Sequence, residues 1–250
     1  MSCVVIIPAR LDSSRLPRKV LLDICGKPMI EHVYECAMKA KHIKEVYIAT
    51  DSKEVLEICS IFTSNIIMTS AEHLSGTDRI AEAVKSIACD NVINVQGDEP
   101  LMDPTLIEDI ALSLENFETQ MVSAMHKIKT TEELKSPNAV KVTIDKNNNA
   151  LYFSRSIIPH HRDEWEPLLN HHKTIPAPLT FFKHIGIYGY KKDFLLKYSK
   201  MELTYLEKIE KLEQLRVLEN GFKIKMIETK YEPVGVDTIE DLQKVRKLIN

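Results

Sequence analysis

The amino-acid sequence predicts an α/β protein with a doubly wound, mostly parallel sheet and a smaller strand-rich lobe. In the first half, short β-branched runs alternate with longer amphipathic stretches, as in parallel strands connected by helices. Beyond about residue 120, strands joined by polar turns replace this pattern. The 250 residues, 44% of them hydrophobic, are enough for one large domain that carries such a lobe.

Four strands and three helices are predicted in the first half. The strands cover residues 3–7, 45–49, 65–68 and 91–95, and the helices cover 28–41, 52–61 and 75–88. Pro28 suits the first turn of its helix, and Ile30, Val33 and Ala37 share one helical face. Three consecutive βα units imply right-handed crossovers and therefore a doubly wound sheet.

The second half mixes strands, helices and one long loop. Strands are predicted at 121–128, 140–144, 150–153 and 223–228, with helical pattern at 191–220 and after Thr238. Gly221 is placed to end the 191–220 region as a C-terminal cap. Residues 159–183 contain four prolines and little periodicity, so we interpret them as a functional or partner-facing loop outside the core.

Composition excludes several classes of protein. With 33 basic and 36 acidic side chains, the chain lacks the basic excess typical of nucleic-acid binding. No apolar run approaches the roughly 18 to 20 residues of a membrane span, and the first residues lack the features of a secretory signal. The five cysteines form no CxxC pair and are expected to be small buried hydrophobes in a reducing compartment. A cytoplasmic protein is expected, with no nucleic-acid or membrane partner.

A cationic loop follows the first predicted strand. Arg10, Arg15, Arg18 and Lys19 are separated by hydroxyl residues and prolines, and in an open α/β sheet this loop borders the usual ligand crevice. Such cations can hold a polyphosphate, although a solvated basic loop is an equal alternative. Neither GxxxxGK[ST] nor GxGxxG follows the strand, which argues against a P-loop or dinucleotide site.

Two aspartates are candidates for a magnesium site. Asp98 follows the fourth strand beside Gly97, and Asp237 precedes the last helix. Carboxylates at a strand end are well placed to hold Mg²⁺ on a nucleotide phosphate. Alone, Asp98 could belong to a polar turn and Asp237 is better explained as a helix cap, so the metal site depends on their combination.

The start of the third predicted helix offers a further contact region. The run Ser75-Gly76-Thr77-Asp78-Arg79 can cap that helix, and it can also place hydroxyls and backbone groups against a base or ribose.

Together these motifs resemble those of the CMP-Kdo synthetase (3-deoxy-manno-octulosonate cytidylyltransferase) family over essentially the whole chain. The pattern I-P-A-R-x-x-S-x-R-x-P-x-K spans residues 7–19. Further matching segments are Gly26 to Ile30, Ser75 to Arg79, Val95 to Pro100, Tyr152 to Ser156, His184 to Tyr188, Leu212 to Arg216, Leu218 to Gly221 and Gly235 to Thr238. Many motifs in one order are more specific than any single motif.

The resemblance implies a nucleotide-diphospho-sugar transferase-like fold and a reaction for lipopolysaccharide biosynthesis. CMP would pass from CTP to the anomeric 2-hydroxyl of Kdo, an eight-carbon acidic sugar, and pyrophosphate would leave. CTP carries about four negative charges that cationic side chains and Mg²⁺ on Asp98 and Asp237 would neutralise. The implied catalytic residues are Arg10, Arg15, Lys19, Asp98 and Asp237. The implied nucleotide-binding residues are Pro8, Ala9, Arg10, Arg15, Lys19, Ser75, Gly76, Thr77, Arg79, Gln96 and Asp98.

The resemblance also assigns a sugar site and a homodimer. Arg155, His184, Tyr188, Glu213 and Gln214 would line the sugar site, and a strand-and-loop lobe over residues 121–185 would form the dimer contact. Purely structural roles are also compatible with the residues themselves. A charged helix such as that of Glu213 and Gln214 usually faces water, and His184 could simply be a hydrogen-bonded strand residue.

One departure from the family pattern concerns the cationic loop. The family commonly has glycine where this chain has Arg18, and a positive φ there would strain an arginine. Two other functions remain open. The chain could be a cytidylyltransferase for another sugar acid, such as 8-amino-Kdo or a sialic-type acid, or a catalytically silent nucleotide-binding protein on the same fold.

Overall fold

A computed structural model of the chain describes residues 1–11, 16–73, 75–163, 165–232 and 234–249. Across these residues the strands are β1 (Cys3–Ala9), β2 (Asp23–Ile24), β3 (Lys27–Pro28), β4 (Glu45–Thr50), β5 (Ile66–Met68), β6 (Asn91–Asn94), β7 (Met121–Lys127), β8 (Lys141–Ile144), β9 (Ala150–Ser154), β10 (Phe182–Lys191) and β11 (Lys225–Glu228). The helices are α1 (Met29–Met38), α2 (Lys53–Cys59), α3 (Gly76–Ala83), α4 (Pro104–Ser113), α5 (Thr131–Lys135), α6 (Trp165–His171), α7 (Lys192–Tyr198), α8 (Tyr205–Glu210), α9 (Leu215–Glu219) and α10 (Ile239–Ile249).

A nine-stranded sheet organises the described chain, with the order β11-β7-β10-β6-β1-β4-β5 and with β8 and β9 attached beside β10. β1 is parallel to both β4 and β6, and β4 is parallel to β5. β10 runs antiparallel between β6 and β7, whereas β11 is parallel to β7. The predicted doubly wound, mostly parallel sheet is therefore confirmed. Because the strand order reverses between β1 and β6, the crevice at their carboxyl ends is the expected ligand site.

The central strand β1 is buried on both faces. Val5 and Ile7 belong to a core cluster that contains residues of α1 and α4. Val4 and Ile6 belong to a second cluster that contains residues of α3 and α7. Covering both faces removes β1 from water and explains its uninterrupted apolar sequence.

The predicted helical region 191–220 consists of three short helices, α7, α8 and α9. Thr204 begins α8 in the Thr-x-x-Glu pattern of a capping box, and its N–H donates to Glu207 Oε2 at 3.4 Å. Lys211 ends α8 in the left-handed conformation, with φ 55°. Gly221 has φ 78°, as expected for its predicted capping role. Local capping signals therefore divide the region despite its continuous helical pattern.

The proline-bearing segment 159–183 contributes to a core, so its interpretation as a loop outside the core was wrong. It contains α6, and its Leu168 and Phe181 are buried against Ile128 and Leu134 in a separate cluster. The predicted lobe 121–185 thus combines this cluster with β7 and part of β10, which are internal strands of the main sheet. Its boundaries and its dimer contact remain predictions.

Two smaller expectations concern cysteines and membrane segments. Cys3 and Cys59 are buried as expected, whereas Cys36 and Cys89 are only half-buried. Cys25 is exposed because it lies in the turn between β2 and β3 with φ 53°. Within the described ranges, no helix has the length and apolar character to cross a membrane.

Candidate active site

A cleft of about 450 Å³ opens beside the carboxyl ends of β1 and β6. Its walls include the predicted nucleotide-binding residues Arg10, Gly76, Thr77 and Gln96 and the predicted sugar-binding residues His184, Tyr188, Glu213 and Gln214. These residues are distant in the sequence and meet only in the folded chain. The structure therefore brings residues of both predicted halves to one cavity, whereas Lys19, Asp98 and Asp237 are not among the described residues that line it.

Small residues let three segments meet at the nucleotide end. A Cβ atom on Gly97 would lie 2.9 Å from the Pro8 carbonyl oxygen, and one on Gly76 would lie 3.4 Å from Pro8 Cγ. Pro8 and Ala9 are themselves buried, whereas Arg10 is exposed at the cleft. We infer that any side chain at residue 97 would push the loop after β1 out of place.

The start of α3 is held by its own cap. The Ser75 hydroxyl accepts a hydrogen bond from the Asp78 N–H at 3.1 Å, and Gly76 and Thr77 occupy the first turn. The unpaired N–H groups of a first helical turn attract anions. The predicted alternatives are thus compatible, since Ser75 caps the helix while Gly76 and Thr77 face the cleft.

Thr77 connects the nucleotide end to the sugar end. Its hydroxyl donates to Glu213 Oε2 at 2.9 Å, and the Tyr198 hydroxyl donates to the Glu213 carbonyl at 2.7 Å. Burial raises the pKa of Glu213, and the Thr77 hydrogen bond opposes this rise. Gln214 is buried and Glu213 is half-buried, so the interpretation of these two residues as a water-facing helix surface is wrong.

His184 lies in a partly buried network at the sugar end. Its ring contacts those of Phe153 and Tyr188, with centroid separations of 5.0 and 5.4 Å. Nε2 lies 2.8 Å from Ser123 Oγ, and Nδ1 lies 3.5 Å from Gln214 Nε2. Burial lowers the pKa of His184 to about 3, so the imidazole is neutral near neutral pH. Ser123 was not found from the sequence, where a serine within an apolar strand was its only signal.

Lys19 lies between the two predicted metal ligands. Its Nζ is 2.5 Å from Asp98 Oδ2 and 3.0 Å from Asp237 Oδ1. A hydrogen bond of 2.9 Å from the Val236 N–H to the Asp98 carbonyl brings the two aspartate segments together. Burial acts to lower the pKa of Lys19, but the two carboxylates outweigh it and the pKa is raised. The combination of Asp98 and Asp237, on which the sequence argument depended, is therefore formed.

The donor set of this cluster fits magnesium. Mg²⁺ prefers oxygen ligands and is commonly held by one or two carboxylates together with substrate phosphates and water. Asp98 and Asp237 are near enough to share one cation, and their side chains are 30% and 45% exposed. Within the described ranges, no group of three or more His, Cys, Asp and Glu side chains could hold a metal. The two aspartates would therefore need ligands from a bound nucleotide.

Glu99 is a third carboxyl group near this cluster that sequence reasoning missed. Its Oε2 is buried and has no hydrogen-bond partner among the described residues. Burial, followed by the charges of Asp98 and Asp237, raises the pKa of Glu99 to about 8. Glu99 is therefore mostly uncharged at neutral pH and adds little to the negative charge beside Lys19.

Two predicted ligand-binding arginines have structural partners. Arg79 is fully buried and donates to Asp51 Oδ2 at 2.7 Å and to Thr69 Oγ1 at 2.6 Å. The Arg155 guanidinium donates to the carbonyls of Pro137, Glu210 and Lys211 at 3.2, 2.8 and 3.5 Å. Neither is among the residues that line the cleft. Their direct contacts with substrate remain predictions, and in the described chain both guanidinium groups donate to protein oxygens.

The cationic loop is described only in part. Arg15 lies outside the described residues. Arg18 has φ 58° and ψ 29°, so the position where the family commonly has glycine does adopt the left-handed conformation. The Arg18 guanidinium forms an ion pair with Glu54, and both side chains are substantially exposed.

Comparison with known proteins gives the family. A family model described as Cytidylyltransferase matches residues 4–226. The 3-deoxy-manno-octulosonate cytidylyltransferase of Geobacter metallireducens is 47% identical over 98% of this chain and 96% of its own length. The corresponding protein of Haemophilus influenzae is 49% identical over 100% and 99% of the two chains.

A solved structure agrees with these relatives. The structure of CMP:2-keto-3-deoxy-manno-octonic acid synthetase complexed with CTP superposes with a TM-score of 0.91 at 39% identity, covering 100% of this chain and 98% of that one. Similarity of this extent, in sequence and in fold, covers every element that forms the cleft. The chain therefore belongs to the 3-deoxy-manno-octulosonate cytidylyltransferase family.

Proposed function

We propose that this chain transfers CMP from CTP to the anomeric 2-hydroxyl of Kdo, giving CMP-Kdo and pyrophosphate for lipopolysaccharide biosynthesis. One observation carries the proposal. A single cleft joins Arg10, Gly76 and Thr77, which suit a nucleotide, to His184 and Gln214, which suit a polyhydroxylated sugar. The relatives' names state the same reaction class.

At the nucleotide end, this chain supplies positive charge and N–H donors to the triphosphate. Arg10 lines the cleft, and Lys19 is held by Asp98, which follows the cleft residue Gln96 by two positions in the chain. The first turn of α3 adds the positive end of a helix dipole beside Gly76 and Thr77. Fixed charges of this kind stabilise charge that develops on the reacting phosphate without having to reorganise.

We infer that the protein is magnesium-dependent and that Asp98 and Asp237 hold the ion. Bound there, magnesium would supply further neutralisation of phosphate charge. The geometry that supports this is the shared cation position now held by the Lys19 ammonium. The two carboxylates keep Lys19 charged, and Lys19 in turn keeps them close together before substrate arrives.

At the sugar end, the chain orients the nucleophile. Tyr188, Glu213 and Gln214 offer hydroxyl, carboxyl and amide groups within one wall of the cleft. Holding the sugar hydroxyl in line with the α-phosphorus converts an encounter between two molecules into a reaction within one complex.

The deciding experiment is a substrate panel that measures pyrophosphate release. We expect release with CTP, Kdo and Mg²⁺, and little release when UTP or ATP replaces CTP. Kdo, 8-amino-Kdo and a sialic acid are compared at equal concentration. Release with another sugar acid but not with Kdo would overturn the substrate assignment, and binding of CTP without any release would favour a catalytically silent protein.

The metal assignment is tested separately with Asp98→Asn and Asp237→Asn. We expect kcat to fall at least about 100-fold in each variant, because a neutral amide is a poor magnesium ligand. Asp163→Asn is the matched control, since Asp163 pairs with Arg162 on the surface. Urea unfolding measured in parallel separates lost turnover from lost stability. An unchanged kcat in both variants, or turnover that is unaffected by a chelator, would contradict the assignment.

We also propose a cytoplasmic homodimer. No disulfide joins the cysteines of the described residues, which suits a reducing compartment. Within the lobe 121–185, the edge strand β9 leaves Leu151 62% exposed, which suits a contact with a second copy. Sedimentation at several concentrations tests this, and Leu151→Lys should favour the monomer. A monomer at every concentration would refute the dimer.

A further inference from the structure

We propose that Ser123 is a positioning residue whose buried hydroxyl fixes the proton of His184 on Nε2, and thereby sets which hydrogen-bonding groups Gln214 and Tyr188 present to the sugar. The proposal rests on the proposed function only for the identity of the ligand. Its structural part concerns the direction of one chain of hydrogen bonds.

The direction of this chain of hydrogen bonds is set where the pairing of β7 and β10 is irregular. Their pairing shifts register between Ile185 and Tyr188. Ser123 Oγ then lies 2.9 Å from the Ile187 carbonyl oxygen and 3.3 Å from the Ile185 carbonyl oxygen. Carbonyl oxygens only accept hydrogen bonds, and a serine hydroxyl has one proton. Giving that proton to His184 Nε2 would leave two carbonyl oxygens against the hydroxyl oxygen with no proton between them. The proton of Ser123 is therefore used on a carbonyl, and a lone pair of its oxygen faces His184.

His184 must then donate. Its Nε2 lies 2.8 Å from Ser123 Oγ, and only a protonated Nε2 makes this contact attractive. Because burial lowers the pKa of His184 to about 3, the ring holds a single proton near neutral pH. Nδ1 is consequently bare and accepts from the Gln214 amide nitrogen, which lies 3.5 Å away.

The amide orientation of Gln214 determines the hydrogen-bonding groups that face the cleft. With its nitrogen toward His184, Oε1 faces Tyr188 and accepts from the Tyr188 hydroxyl at 3.3 Å. The chain of donors therefore runs from Tyr188 through Gln214 and His184 to Ser123. Every group in it satisfies its neighbour without a clash of two protons or two lone pairs.

This direction has a consequence for recognition. Since the Tyr188 proton points into the protein, its oxygen can accept from a sugar hydroxyl, and the second N–H of Gln214 can donate to a sugar oxygen. With the proton on Nδ1 of His184, Gln214 would turn its amide over and Tyr188 would become a donor. Ser123 thus selects between two opposite patterns of sugar recognition without touching the sugar.

The first test needs no substrate. Nitrogen-15 NMR of the histidine ring, assigned by through-bond correlation from the His184 backbone, shows which ring nitrogen carries the proton. We expect Nε2–H in the wild type and in Ser123→Thr, which keeps the hydroxyl, and a mixture of both tautomers in Ser123→Ala. A proton on Nδ1 in the wild type, or unchanged Nε2–H in Ser123→Ala, would overturn the proposal.

The second test is kinetic. Ser123→Ala should raise KM for Kdo about tenfold, the size expected for one disturbed buried hydrogen bond, with KM for CTP unchanged. Thr131→Val is the matched control, because it removes a buried hydroxyl that donates to the His172 carbonyl at 2.7 Å. Equal rises in both KM values, or no rise in either, would contradict the proposal. If the wild type fails to use Kdo, the proposed function fails while the NMR result still decides the role of Ser123.

Discussion

Replacement of Arg18 by glycine and by alanine should reveal the conformational strain of the cationic loop. Arg18 lies in the left-handed region, with φ 58° and ψ 29°, immediately before Lys19. Both substitutions remove the ion pair with Glu54. Comparing the two variants with each other therefore cancels that loss and leaves the conformational difference between glycine and alanine.

The magnitude follows from two opposing effects. A side chain with a Cβ costs roughly 1–2 kcal/mol in the left-handed conformation, which glycine avoids. Relative to alanine, glycine lowers the free energy of unfolding by roughly 0.4–1 kcal/mol, because the unfolded chain is more flexible at a glycine. We expect Arg18→Gly to be more stable than Arg18→Ala by about 0.5–1 kcal/mol. The lost ion pair is worth at most about 1 kcal/mol, because its side chains are 59% and 38% exposed.

The assay is urea unfolding at one fixed protein concentration. Lys39 supplies the matched control, since it is exposed and ends α1 with φ −80°, where any residue is unstrained. At residue 39, the alanine variant should be the more stable of the pair by about 0.5–1 kcal/mol. The difference in unfolding free energy between the glycine and alanine variants should thus have opposite signs at residues 18 and 39. If alanine is the more stable residue at both positions, the argument from backbone strain is refuted.

Two further predictions concern buried groups. Asp51→Ala should lower the free energy of unfolding, measured by urea titration, by about 3 kcal/mol. The reason is that it leaves the Arg79 guanidinium buried without its charged partner. A loss below about 1 kcal/mol would contradict this prediction. His184 takes up a proton in the unfolded chain near its ordinary pKa of 6.5 but in the folded chain only at about 3, so its contribution to stability is present above pH 6.5 and is lost as pH falls toward 3. Between pH 6 and 5, His184→Gln should therefore lose stability less steeply than the wild type, and equal slopes would show that His184 is not buried in its neutral form.

The fold was largely predictable because its signals are local. β1, β4 and β6 match their predicted positions within two residues, since the central residues of strands buried on both faces are mostly apolar. The division of 191–220 was also encoded locally, in Thr204 and Glu207. It was missed because helical pattern alone does not show where a helix restarts.

The sequence identified the motifs that contribute to the candidate site, but it did not show which of their side chains meet in the cleft. Arg10, Thr77 and Gln214 stand in motifs that are recognisable one by one. Arg79 shows the limit of this reasoning, because a motif position does not reveal whether a side chain faces the cleft or a carboxylate elsewhere, such as that of Asp51.

The sequence by itself determined the sheet class, the family and most of the residues around the cleft, because apolar periodicity and ordered motifs are properties of neighbouring residues. Only the tertiary structure decided that Lys19 lies between Asp98 and Asp237, and that Ser123 faces His184. These contacts join segments up to 218 residues apart. They depend on strand register and loop path, and a shift of one residue in a strand would turn Ser123 to the opposite face of the sheet.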